Sequence, residues 1–255
     1  MSEIVIYGST GRIVSRIQRQ PDGRIQSARL DAGGELFVEN LFNDHKALAV
    51  EGSYFIAQTP TPGTGITLTS ATGTTYSDTN GIVGINNLDS IGQGLQSRDI
   101  ILDYVKLIVT AAGTAGTDSH VASRLDIAAR ASAGSTLVGK NVNGRYAAND
   151  EVADVHAGAI TIAGASNQVR NLGRAEVRKA AAPGYIVGDV ILFTFGALEK
   201  VAAQAITPTT AVIIVLQIPQ VIIPPGWSWV LNEWMVARTA AQSAEVATTD
   251  RQRTS

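Results

Sequence analysis

Apolar residues along this chain fall mostly in short runs of period near two, separated by Gly, Pro, Thr and Asn. The densest stretch is Ala211–Trp234, AVIIVLQIPQVIIPPGWSWVLNEW. Its two runs, Val212–Leu216 and Val221–Ile223, are rich in Val and Ile, which suit a pleated, half-buried surface. Pro219 separates them. Pro224, Pro225 and Gly226 then carry turn chemistry, because proline presets φ at the second turn position and glycine accepts the positive φ of a type II turn. Past the turn, Trp227, Trp229 and Leu231 repeat at period two, and Trp234 joins them if the strand carries one bulge. The pattern predicts strand, kink, strand, turn, strand, with all three tryptophans on the last member.

Taken from its beginning, the chain first offers Ile4–Leu30 as an extended arm with a hairpin turning at Pro21-Asp22-Gly23. Arg12, Arg16, Arg19, Arg24 and Arg29 fall here against a single acid, Asp22. Either this ribbon is solvated on both sides or it lies on an acidic partner surface, since an isolated hairpin is marginal in water. Glu35–Val50 has Phe37, Leu41 and Leu48 on helical spacing, although Leu36–Val38 could equally begin a strand. Gln58–Tyr76 is Thr-, Pro- and Gly-rich with few large apolar residues and reads as a linker. The organisation expected is an arm over 1–57, a linker over 58–80 and a β domain over 81–255.

The β domain shows strands at regular intervals. Asp99–Thr110 is the strongest, with Ile101, Asp103, Val105, Leu107 and Val109 facing one way and both faces largely apolar, as for a central strand. Val121–Ala129 alternates as a half-exposed strand does. Ala159–Ala163, Asn171–Ala181, Tyr185–Phe195, Lys200–Ile206 and Ala211–Ile218 follow, with turns every 8–15 residues and no convincing helix. That rhythm indicates a mainly β protein, an antiparallel sandwich or barrel.

Composition sharpens this in two ways. Hydrophobic residues make up 45% of 255 but aromatics only 5%, so the core must be built from Val, Ile, Leu and Ala. Charged residues are 16%, low against about 25% in ordinary soluble domains, so the surface is either short of solubility or largely covered by partners. A net charge of −2 and a pI near 5.9 argue against global affinity for nucleic acid or membrane. With no cysteine, disulfides and thiol chemistry are excluded. Met1–Thr10 does not read as a signal peptide, and a soluble, cytoplasmically made protein is expected.

Candidate chemistry is sparse. His45, His120 and His156 are isolated in sequence, without HxH or HExxH spacing, so no metal site is expected. Gly8-Ser9-Thr10-Gly11 and Gly63-Thr64-Gly65 lack the lysine and following helix of a phosphate loop. No GxSxG occurs. Asp150–Glu151 sits in a polar loop, and a glycosidase pair drawn from distant acids stays open. Asp78-Thr79-Asn80-Gly81 reads as a turn. Trp227 and Trp229 are either core residues or an exposed sugar-stacking or intersubunit platform. Catalytic residues and cofactors are expected to be absent, and the protein is not read as an enzyme.

Four segments carry a family likeness: VEGSYFIAQTPTPGTGI, LDYVKLIVTAAGTAGT, VHAGAITIAGASNQVRNLGRAEVR, and VIIPPGWSWVLNEW followed by TAAQSAEV. Together, over roughly Ala49–Val246, the chain resembles a family of tailed-bacteriophage virion structural proteins. The resemblance implies a jelly-roll-like β-sandwich carried in several copies on the outside of a particle, assembled in the host bacterial cytoplasm. It implies a capsid decoration or cement protein whose partners are the major capsid protein and further copies of itself, as in a trimer, with neither nucleic acid nor membrane involved. The arginines named above would then lie in a capsid-contacting arm, and Pro224, Pro225, Gly226, Trp227, Trp229 and Trp234 in a core or subunit-interface strand. A neck, tail or head-fibre protein binding a host glycan receptor is the alternative, and a jelly-roll enzyme a third. Relatives tend to end in a more aromatic strand, whereas Ala247–Ser255 is polar here.

Overall fold

A computed structural model describes residues 3–7, 13–19, 25–30, 36–38, 49–68, 75–89, 97–113, 118–146, 151–163, 169–178, 185–196, 200–201, 211, 213–235 and 240–254. The chain forms two compact units, Met1–Leu48 and Ala49–Ser255. In the first, β1 (Glu3–Tyr7), β2 (Ile13–Arg19), β3 (Ile25–Leu30) and β4 (Leu36–Val38) make a four-stranded antiparallel meander. β2 and β3 pair antiparallel on either side of Pro21-Asp22-Gly23, and the turn expected there lies outside the described residues. Leu36–Val38 is strand, not the start of a helix over Glu35–Val50; helical backbone is confined there to residues 49–51 among those described. Three β-type residues pairing with β3 outweigh a weak 3.6 period.

The second unit is a β-sandwich. Its strands begin with β5 (Tyr54–Gln58), β6 (Ile66–Thr67), β7 (Asn80–Asn87), β8 (Arg98–Ala111) and β9 (Asp118–Asp126). Three short pieces follow, β10 (Ala131–Ser132), β11 (Ser135–Leu137) and β12 (Gly139–Asn141), then β13 (Ala153–Ile162) and β14 (Val169–Arg178). The last are β15 (Val190–Phe195), β16 (Lys200–Val201), β17 (Ile213–Ile218), β18 (Ile222–Ile223), β19 (Ser228–Met235) and β20 (Ser243–Thr254). One sheet runs β10-β13-β7-β19-β9-β14, with β11 also on β13. The other runs β12-β5-β20-β8-β15-β17-β16, with β6 on β20 and β18 on β8. Neighbours in each sheet come from distant parts of the chain, which gives the sandwich its jelly-roll-like character.

Between the sheets lies an aliphatic core. β8 contributes Ile100, Leu102, Val105, Leu107 and Val109, all at 1% exposure or less, and the facing sheet contributes Val83, Ile85, Trp229 and Leu231. Its makeup follows the composition: among the described residues Phe55, Phe193 and Trp229 are the aromatic side chains wholly enclosed, and Val, Ile and Leu fill most of the rest.

The sequence pattern needs correction at several points. β8 does not keep one alternation throughout. A bulge at Asp103, where Leu102 pairs with Asp250 and Tyr104 with Thr249, resets the faces, so Leu102 and Val105 both point inward. β9 is buried rather than half-exposed, because Val121 and Leu125 face the core while Tyr76 covers Arg124 and Trp234 covers His120 on the other side. β15 and β17 pair in parallel within an otherwise antiparallel set, their connection carrying β16 to the far side of β17. The segments assigned to arm and linker contribute to the sandwich: β5 and β6 both pair with β20, and Leu68 is fully buried. The polar tail over 247–255 supplies most of β20, which runs between β5 and β8.

Candidate functional site

The turn leading into β19 is built by the residues the sequence singles out. Trp227 N–H donates to the Pro224 carbonyl at 3.1 Å, enclosing Pro225 and Gly226, and Gly226 has φ of 77°. Gly226 N–H also donates to Asn87 O at 2.9 Å, pinning the turn to the end of β7. β19 then pairs without interruption along β9, Ser228 against Asp126 through Met235 against Ser119. There is no bulge in that register, so Trp229 and Trp234 face opposite ways; this corrects the expectation of three tryptophans on one face.

Each tryptophan meets different surroundings. Trp229 is fully buried, its indole N–H donating to Ser123 Oγ at 2.8 Å and its ring meeting the edge of Phe195 at 5.5 Å. It has no surface to offer a ligand. Trp227 is half-buried at the rim of the core, with the Arg170 guanidinium 5.1 Å from its ring centroid. Trp234 looks outward from the seven-stranded sheet yet is only 8% exposed, because His120 stacks on it at 5.2 Å and Tyr76 meets it edge-on at 5.3 Å.

Inside the sandwich, inward-facing positions of β20 carry Thr248, Asp250 and Gln252 beside Ala244 and Val246. Asp250 is 1% exposed and hydrogen-bonds the carboxyl of Glu151. Gly139 makes room for this contact, since a β-carbon there would overlap the Glu151 carboxylate. Burial, then the neighbouring Asp250 charge, push Glu151 up to about 9. Burial likewise raises Asp250, to about 7, against the lowering effect of hydrogen bonds from Gln252 and Glu151. The pair is a carboxyl–carboxylate contact holding a proton at neutral pH. Glycosidase carboxyls stand about 5 Å or more apart around a substrate, a separation these two do not have.

A third feature lies on the outer face of the nine-stranded sheet. Val190 pairs with Ile213 and Leu192 with Val215, so these four share that face with Ile108 and Lys106 of β8. Ile213 is 66% exposed, Val215 40%, and Val187 in the preceding turn 60%. Both sides of β17 are apolar, so the sequence run IIVL reveals a strand without revealing that one of its faces meets solvent.

Other candidates fall out as follows. Arg16 and Arg19 lie on β2 and Arg29 on β3, with Arg16 opposite Val5 and Ala28, and Arg29 opposite Ser15 and Phe37. Arg12, Arg24, His45, Asp150 and Gly8–Gly11 lie outside the described residues. His156 Nε2 contacts Asp154 Oδ2 at 2.8 Å. Gly63 N–H donates to the Glu245 carboxylate, tying the Gly63–Gly65 loop to β20. Asp78 and Thr79 form a turn into β7. Among the described residues no group of three His, Asp or Glu side chains could hold a metal ion. Neither family models, curated proteins nor solved structures give a match to this chain.

Proposed function

We propose that this chain is a structural protein of a tailed-phage virion, a decoration or cement protein that binds the outer capsid surface. The observation that carries the reading furthest is the apolar outer face of the nine-stranded sheet. A surface presenting Val187, Ile213 and Val215 to water, in a chain with few charges, suits a protein that spends its working life covered. Its family resemblance points the same way. A distinct N-terminal unit bearing Arg16, Arg19 and Arg29 supports a separate point of attachment to the capsid protein. Contacts of this kind, repeated over a particle and within a homotrimer, hold by avidity without one tight site.

Quantitative mass spectrometry of purified particles tests the reading. A copy number on the scale of the major capsid protein supports decoration. A handful of copies moves the protein to the neck or tail and makes receptor binding the leading idea. Absence from particles overturns a virion role.

A further inference from the structure

On the outside of the seven-stranded sheet, away from the apolar face just described, a groove of about 600 Å³ opens beside Trp234. Its walls are mixed in a particular way. Trp234, Tyr76 and Leu172 give apolar surface, Asn171 an amide, Thr75 and Tyr76 hydroxyls, and Arg174 a charge. Arg174 is exposed and lies over the Trp234 ring, guanidinium carbon to centroid 5.3 Å. A guanidinium held there carries its N–H donors in a planar fork, whose geometry suits a carboxylate bidentately. No carboxylate pairs with Arg174 among the described residues.

Behind the groove sits a second cation. Arg124 is fully buried, yet among the described residues its guanidinium meets only neutral oxygens: Tyr76 Oη at 3.2 Å and the Asp78 carbonyl. Its Nε is buried and has no hydrogen-bond partner. Enclosing a cation without a paired anion costs stability, and the arrangement fixes the Tyr76 hydroxyl at the groove wall while adding positive potential behind it. Across the strand pair, Arg174 stands opposite Ala122 rather than an acid.

We propose that this groove binds a carboxylated saccharide, its carboxylate on Arg174, its apolar ring face against Tyr76 and Leu172, and its hydroxyls on Asn171 and Thr75. A neutral sugar would leave both arginines without a counter-charge, and a bare inorganic anion would leave the apolar wall unused. The site stands apart from the virion reading and holds whether or not the protein decorates a capsid.

Calorimetric titration of the full chain with D-glucuronate, D-glucose and inorganic phosphate tests it. Glucuronate is expected to bind at least about tenfold more tightly than either other probe, the worth of one charge-assisted pair. Arg174→Gln, at an exposed position, should remove that preference while leaving the melting temperature unchanged. Tyr76→Phe should weaken glucuronate without abolishing it. Equal binding of glucose and glucuronate, phosphate binding as tight as glucuronate, no binding of glucuronate, or an unchanged preference in Arg174→Gln would each overturn the proposal.

Discussion

Glu151 reaches across the sandwich to hydrogen-bond Asp250, joining the segment before β13 to the strand that runs between β5 and β8 in the nine-stranded sheet. Both groups hold protons more firmly in the folded protein than in an unfolded chain. The folded state therefore binds more protons than the unfolded one once pH exceeds the ordinary carboxylate range. The stability this contact contributes is complete only below about pH 4, the ordinary carboxylate range, and is lost progressively as pH rises through about 7 towards about 9, the values to which Asp250 and Glu151 are raised. Denaturant melts between pH 5 and 9 should show that decline. Glu151→Gln, which keeps the shape without the charge, should flatten it and raise the midpoint at pH 8.5.

Trp229 is expected to be the most sensitive side chain of β19. Trp229→Ala should cost about 3–5 kcal/mol, the range for emptying a buried large aromatic site. Ser123→Ala is subtler: it strands a buried indole N–H and should cost about 1–3 kcal/mol. Urea unfolding of both variants measures this, and a Ser123→Ala loss near zero would mean that the indole finds another acceptor.

Gly226 adopts φ of 77° at the centre of its turn. Gly226→Ala should destabilise by about 1 kcal/mol or more, because an L-residue in the left-handed region carries that penalty. Pro225→Ala, at the preceding position, should cost less. Reversal of that order in thermal melts would contradict the turn geometry.

Val215→Lys places a charge on the outer face of the nine-stranded sheet, where the side chain already meets solvent. Melting should move by no more than about 0.5 kcal/mol equivalent, as for an ordinary surface change. On the decoration reading, binding to capsids, or self-association by analytical ultracentrifugation, should fall sharply. Unchanged assembly would remove this face from the interface.

Deletion of Met1–Leu48 should leave a cooperatively folding sandwich, since Ala49–Ser255 has its own core. Circular dichroism of the truncated chain should retain a β spectrum with a sharp melt. On the decoration reading, the same truncation should weaken attachment to particles.

What the residues disclose by themselves depends on how evenly their chemistry matches their position. β8 and the Pro224–Trp227 turn are readable because apolar content and turn residues coincide with the local backbone. β20 is not, because Thr248, Asp250 and Gln252 occupy inward positions where a sequence pattern looks for Val or Leu. Gln252 and Asp250 are satisfied by hydrogen bonds, such as Gln252 Oε1 accepting from Val152 N–H far away in sequence, whereas the buried Thr248 Oγ1 has no partner among the described residues. Trp234 misleads for the opposite reason: it is apolar, so it reads as core, but a regular register turns it outward onto His120 and Tyr76. Arg124 shows no signal at all in the sequence, since nothing local distinguishes an enclosed arginine from a solvated one.

The place of β20 governs the order in which this protein can assemble itself. β8 waits with one side unpaired until residues 243–254 arrive, and β5 waits with it. Closing so long a loop is entropically costly and slow, so the last pairing in sequence is expected to limit the rate. During that interval the chain carries an open, Val- and Ile-rich β8 edge, the kind of template on which neighbouring unfinished chains aggregate. Yield of native protein should therefore depend on how crowded its own synthesis is, with slower expression at lower temperature favouring the closed sandwich over inclusion bodies.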